Sequence, residues 1–302
     1  MSNTRRSFLQ VGAVLAAQQA ALPQNNVQVP KMKFGGAEIS RMVLGVNPFY
    51  GFAHYNNNFS TVMKEWYTGD KVCAIMHQCN RYGINSFNYV HLDRAPQDLA
   101  RFQAEGGKMH LIIQVTAGVE ASMLVKTLKP LALQRQGEVV DKAFQTGQMH
   151  TVKEWCKQVR DLGVLVGVGT HKPEVIAQVE EEGWDVDFYA GCVYNRTRTV
   201  EEWKKVLNGE ALEMSGEIYL QSDPPRMYRV MRQTTKPCFA FKILAAGRIR
   251  DRVVAVNGAA AVRPTMSCTI SVDHRVLDGA QAARFLAAIA EALEAPGLLL
   301  LP

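Results

Sequence analysis

Residues 152–176 read Val152-Lys153-Glu154-Trp155-Cys156-Lys157-Gln158-Val159-Arg160-Asp161-Leu162-Gly163, then Val164-Leu165-Val166-Gly167-Val168-Gly169-Thr170-His171, then Lys172-Pro173-Glu174-Val175-Ile176. The first run has apolar positions at helical spacing and stops at Gly163, just past a helix end. The second is apolar at almost every position, as a strand covered on both faces must be. Pro173 then opens a further helix at its first turn, running to about Glu182. This helix–strand–helix unit sets the reading of its surroundings. Short apolar runs recur at Val43–Val46, Ile84–Phe87, Met109–Val115, Leu131–Leu133, Val186–Val193 and Cys238–Leu244. Amphipathic stretches separate them, among them Asp70–Arg81, ended by Gly83, and Glu120–Thr127. Helices near Val200–Leu207 and Pro225–Arg232 lie in an insertion before the last run. Seven such units predict an α/β fold of the (β/α) TIM-type barrel, one unit short of closure. An open doubly wound sheet is the alternative, weakened by the lack of G-x-G-x-x-G after the first strand.

The chain has 302 residues, 47% hydrophobic and 21% charged, with a net charge of +6. That composition is of a globular protein with ample core material. Basic residues are scattered, without a run of five or six, which argues against nucleic acid as a partner. Six cysteines, none in a Cys-x-x-Cys pair, are too sparse for a disulfide-stapled scaffold and read as buried thiols. At the front, Arg5-Arg6-Ser7-Phe8-Leu9 precedes the apolar stretch Val11–Ala17. This resembles a twin-arginine signal peptide over residues 1–29, implying export to the periplasm or beyond. The stretch is far short of the ~20 residues that span a bilayer, so no stable membrane span is expected.

Residues 30–248 form the main segment. Function in a barrel gathers at the carboxyl ends of the strands. Those ends offer a ligand pocket of Asn47, Tyr50, His54, Asn88, His91, Gln114, Arg135, Glu138, His171, Tyr194, Asn195 and Lys242. Polar groups at one end of apolar strands suit a small polar ligand. His54, His91, His171 and Glu138 are suitable metal ligands by type, but their spacing is not diagnostic and no metal is assigned. Lys31-Met32-Lys33-Phe34-Gly35, Ile39-Ser40-Arg41-Met42-Val43-Leu44-Gly45 and Gly83-Ile84-Asn85-Ser86-Phe87 resemble the opening of an aldo-keto reductase barrel. The resemblance implies an oxidoreductase, with NADPH as the cofactor. Its Asp, Tyr, Lys and His tetrad is not intact: Asn88 stands for the Asp, and Gln114 or Val115 for the Lys.

The pattern changes after Arg248. Asn257-Gly258 between two apolar runs signals a hairpin, and Thr265–Val272 reads as a strand. Asp273-His274-Arg275-Val276-Leu277-Asp278-Gly279 and an Ala-rich helix, Ala280–Leu293, follow. Residues 249–302 are similar to the end of the acyltransferase catalytic domain of 2-oxo acid dehydrogenase complexes. The resemblance implies His274 as catalytic base, Asp278 as its loop's ion-pairing support, and coenzyme A and dihydrolipoamide as substrates. Structurally, this tail is a candidate to supply or replace the eighth barrel unit. Three functions are therefore open: a reductase-like barrel acting on a small polar ligand, an acyltransferase, and a non-catalytic binding protein or inactive fusion.

Overall fold

The computed structural model describes residues 28–53, 57–209, 219–246, 250–256, 259–265 and 268–270, with short helical pieces at 283–284 and 286–287. The chain enters through an antiparallel hairpin, β1 (Lys31–Phe34) and β2 (Ala37–Ser40). Helices α1 (Asn57–Trp66) and α2 (Gly69–Arg81) follow. The Thr68 hydroxyl caps α2 by accepting from the Lys71 N–H, and Gly83 beyond it takes the left-handed φ of 76°.

Then β3 (Ser86–Val90), α3 (Ala95–Ala104), β4 (His110–Val115), α4 (Ala121–Leu128) and β5 (Ala132–Arg135) alternate. Two helices, α5 (Gly137–Gln145) and α6 (Met149–Asp161), lead to β6 (Leu165–Thr170). After α7 (Pro173–Glu181) come β7 (Phe188–Cys192), α8 (Val200–Val206), α9 (Asp223–Gln233) and β8 (Cys238–Phe241). Among the described residues, no helix is long and apolar enough to cross a membrane.

Strands β3 to β8 form one six-stranded sheet, all parallel and in chain order, curled as a half-barrel. The α/β class and the order of units agree with the sequence reading. The closed TIM-type barrel does not, and neither does an eighth unit drawn from the tail. Two causes are visible. Val43–Val46 contributes a single parallel bridge, Leu44 to Phe87, because Asn47-Pro48 at once starts a 3-10 turn (Asn47–Tyr50) and proline donates no ladder hydrogen bond. At the other end, β12 (Cys268–Ile270) pairs antiparallel with β9 (Leu244–Ala246), not parallel with the sheet. Strands β10 (Arg250–Val256) and β11 (Ala259–Thr265) make the expected hairpin around Asn257-Gly258. The Arg5-Arg6 stretch, read from the sequence as a signal peptide, and most of the helix expected at 280–293 lie outside the described residues.

Alternation divides each strand between two cores. Phe87, Tyr89, Leu111, Ile113, Val115, Leu133, Val166, Val168 and Tyr189 pack against the helices. On the concave face Ile112, Ala132 and Phe188 meet Phe34 and Ile39 of the entry hairpin. Phe34, Phe188 and Phe239 form an edge-to-face trio with centroids 5.1–5.5 Å apart, so the hairpin plugs the amino-terminal end of the sheet. Gly167 is required there: a Cβ would stand 2.2 Å from the Phe188 ring. Gly167→Ala is expected to destabilise the chain by about 1–3 kcal/mol in urea unfolding, with partial recovery on adding Phe188→Leu. A neutral Gly167→Ala would contradict this packing.

Candidate functional site

Above the aromatic plug the concave face turns polar. Asn88 on β3, Gln114 on β4 and Gln134 on β5 share it, with Gln114 and Gln134 direct register partners. The buried Asn88 Oδ1 and Gln134 Oε1 have no hydrogen-bond partner among the described residues. An unmet buried acceptor costs about 1–3 kcal/mol, so such atoms mark where a donor belongs.

At the carboxyl end of β6 sits a buried side-chain network. His171 Nδ1 lies 2.7 Å from Asp141 Oδ2, and the His171 backbone N–H donates to the same carboxyl group. The Thr170 and Thr197 hydroxyls donate to it as well, at 2.5 and 2.8 Å. Helix α5 brings Asp141 there because Gly137 packs flush on the imidazole; a Cβ would come within 3.0 Å of its Cε1. Phe241 covers the ring edge-on at 5.7 Å. With Nδ1 engaged by Asp141, Nε2 is left to serve as acceptor, base or ligand.

A narrow cleft adjoins His171, lined also by Pro173, Cys192, Asn195, Arg226 and Met227, and its walls leave essentially no room for a water molecule. Asn195 presents at this wall a buried Oδ1 with no partner among the described residues, while its backbone N–H donates to Asp223. Asp223, in the first turn of α9, forms a fully buried ion pair with Arg198.

The remaining sequence-derived residues are dispersed. The Tyr50 hydroxyl donates to Asp98 at 3.2 Å, and burial, then Asp98, push its pKa up. His91 pairs with the Tyr89 hydroxyl at 3.1 Å. Arg135 lies over the Trp155 ring, and burial lowers its pKa. Glu138 is on the surface with Arg196, Tyr194 meets Tyr219 edge-to-face, and Lys242 reaches the Tyr219 hydroxyl at 3.4 Å. Asn47 begins the 3-10 turn. His91, Glu138 and His171 thus each have a separate partner. His54, His274 and Asp278 lie outside the described residues.

Comparison with known proteins places the recognisable ancestry at the carboxyl end. Residues 240–301 match the family described as 2-oxoacid dehydrogenases acyltransferase (catalytic domain). The match begins within β8, a little before the change of pattern seen at Arg248, and contains the whole Asp273–Gly279 motif. Similar relatives are the dihydrolipoyllysine-residue succinyltransferase components of 2-oxoglutarate dehydrogenase complexes. That of Rickettsia bellii is 44% identical over 59 residues, covering 20% of this chain and 15% of the relative. That of Pseudomonas aeruginosa is 46% identical, with 20% and 14% covered, and the mouse mitochondrial protein 48%, with 20% and 13%. The chain therefore spans about 15% of the length of these relatives. The matched segment lends the oxidoreductase expectation no support.

Asp141, Thr197 and the Arg198–Asp223 pair escaped the sequence reading, as did Lys172, whose buried ammonium bonds both Glu202 oxygens at 2.8–2.9 Å. Burial alone would raise the Glu202 pKa; Lys172 and the Thr199 N–H lower it. The capping box Thr199-x-x-Glu202 was the available signal. Asp141→Ala strands the donors of Thr170, His171 and Thr197 and is expected to cost about 3 kcal/mol or more. Denaturant unfolding measures this; a loss below about 1 kcal/mol would contradict the network, given that each unmet donor costs about that much.

Proposed function

We propose that the carboxyl-terminal segment performs acyl transfer between thiols, of the kind named for its succinyltransferase relatives. The observation that carries the reading is the match over residues 240–301, which includes Asp273-His274-Arg275-Val276-Leu277-Asp278-Gly279. His274 takes the proton from the thiol of coenzyme A, and the thiolate attacks the thioester carbonyl of a succinylated dihydrolipoyl group. The carbon–sulfur bond to the dihydrolipoyl sulfur breaks, and that sulfur receives the proton back from His274. In this reading Asp278 takes the supporting, ion-pairing role that the motif implies and transfers no proton. With succinyl-coenzyme A and dihydrolipoamide, the purified chain should form succinyl-dihydrolipoamide. His274→Ala should cut the rate at least about 100-fold, the usual contribution of general-base catalysis. No transfer by the parent chain, or transfer untouched by the substitution, would refute the proposal.

A second reading is favoured by Asn88 Oδ1, Gln134 Oε1 and Asn195 Oδ1, buried acceptors without a hydrogen-bond partner among the described residues. Carbonyl acceptors and an imidazole nitrogen suit a ligand rich in donors, such as a small polyol. Saturation-transfer NMR with glycerol should then detect binding that weakens in both Asn88→Ala and His171→Ala. Binding unchanged in both variants, or no binding to the parent chain, would sink this reading.

A further inference from the structure

Helix α2 carries Cys73 and His77 four residues apart, which stacks thiol and imidazole on one face. That face meets the end of α3, where Glu105 is the capping residue. Cys73 Sγ lies 3.1 Å from Glu105 Oε2, and His77 Nε2 lies 2.9 Å from the same oxygen. Sulfur, nitrogen and oxygen all fall within 4.8 Å of one another. We propose that Cys73, His77 and Glu105 form a three-ligand site for a divalent transition metal ion, zinc foremost, with a fourth position open to solvent.

The donor set is one that zinc accepts, with bonds of about 2.3 Å to sulfur and 2.0–2.2 Å to nitrogen and oxygen. Tetrahedral geometry with those bonds separates neighbouring ligand atoms by roughly 3.4–3.6 Å. The present separations from Oε2 are a few tenths of an ångström shorter, so the ion enters by a small parting of the groups. His77 and Glu105 can part, since their side chains are 33% and 41% exposed. That exposure also gives the ion its route in.

The surroundings are those of a supported site. Glu105 uses its other oxygen, Oε1, to accept from Arg101 Nε at 2.8 Å, leaving Oε2 fixed toward sulfur and nitrogen. Arg101 in turn bonds Asp70. Ligating carboxylates are characteristically held in this way by an outer partner. The His77 ring lies against Phe102 at 4.8 Å, which limits its rotation. A Cys73 thiolate, Glu105 and Asp70 against Arg101 leave two net negative charges for a divalent ion to neutralise. None of these residues belongs to the acyl-transfer segment or to the His171 cleft.

Cobalt(II) titration of the purified full-length chain tests the site. One equivalent should bind with a thiolate-to-cobalt charge-transfer absorption and four-coordinate visible bands, and zinc should displace it. His77→Ala should weaken binding by more than the roughly 10–100-fold that losing an outer-shell partner costs. Cys73→Ser should abolish the charge-transfer band, whereas Cys79→Ser should leave it intact. His77 is partly exposed, so its variant remains a valid probe even where Cys73→Ser fails to fold. Absence of one-equivalent binding, or a band that survives His77→Ala at unchanged affinity, would overturn the proposal and leave the cluster a hydrogen-bonded staple between α2 and α3.

Discussion

The Asp141 carboxyl group collects donors from Thr170, His171 and Thr197, which lie 29, 30 and 56 residues along the chain from it. Three segments therefore depend on one buried acceptor: helix α5, the carboxyl end of β6 and the loop that follows β7. In a low-dielectric interior each of these bonds is stronger than in water, and each orphaned donor would be correspondingly costly. The same network fixes the imidazole of His171 beside the Asn195 cleft. It also anchors the loop carrying Arg198, whose ion pair with Asp223 docks the start of α9. The polar end of the sheet is thus assembled from the inside out.

The two ends of the concave face contrast in purpose. At the amino-terminal end, the aromatic trio excludes water and binds the entry hairpin to the sheet. At the carboxyl end, Asn88, Gln134 and Asn195 keep acceptors that the described residues leave unmet. A sheet that needed only stability would fill those positions with carbon, since an apolar replacement removes the unmet group altogether.

The units of the main segment were legible because a parallel strand buried on both faces is apolar throughout, as in Val164–Val168, and glycine and proline punctuate its flanks. Closure was not legible. Whether Thr265–Val272 pairs parallel or antiparallel is a long-range choice, and nothing local to its alternation decides it. Polar residues on or just beyond the strands, such as Asn88, His171 and Asn195, were legible because they interrupt apolar runs. Asp141 was invisible because it lies in the middle of a helix, one acidic residue among many, and becomes special only through what β6 and the 195–199 loop bring to it. Cys73 and His77 have a readable helical spacing, but Glu105, which completes the cluster, is 28 residues away from His77.

The acyltransferase-like segment follows its own hydrogen-bond ladder: β9 and β12 run antiparallel, with Ala246 opposite Cys268. Its described strands therefore form their own pairs and add none to the six-stranded sheet. Directly opposed antiparallel residues have Cα atoms about 4.5–5.5 Å apart, within the reach of a disulfide. The most direct measurement is oxidation of the Ala246→Cys chain followed by peptide mapping. An intramolecular disulfide between the introduced thiol and Cys268, formed without loss of the folded state, is the predicted result. Failure of that pair to form, while a cysteine placed on β3 captures Cys268 instead, would mean that the tail closes the sheet and would contradict the architecture described.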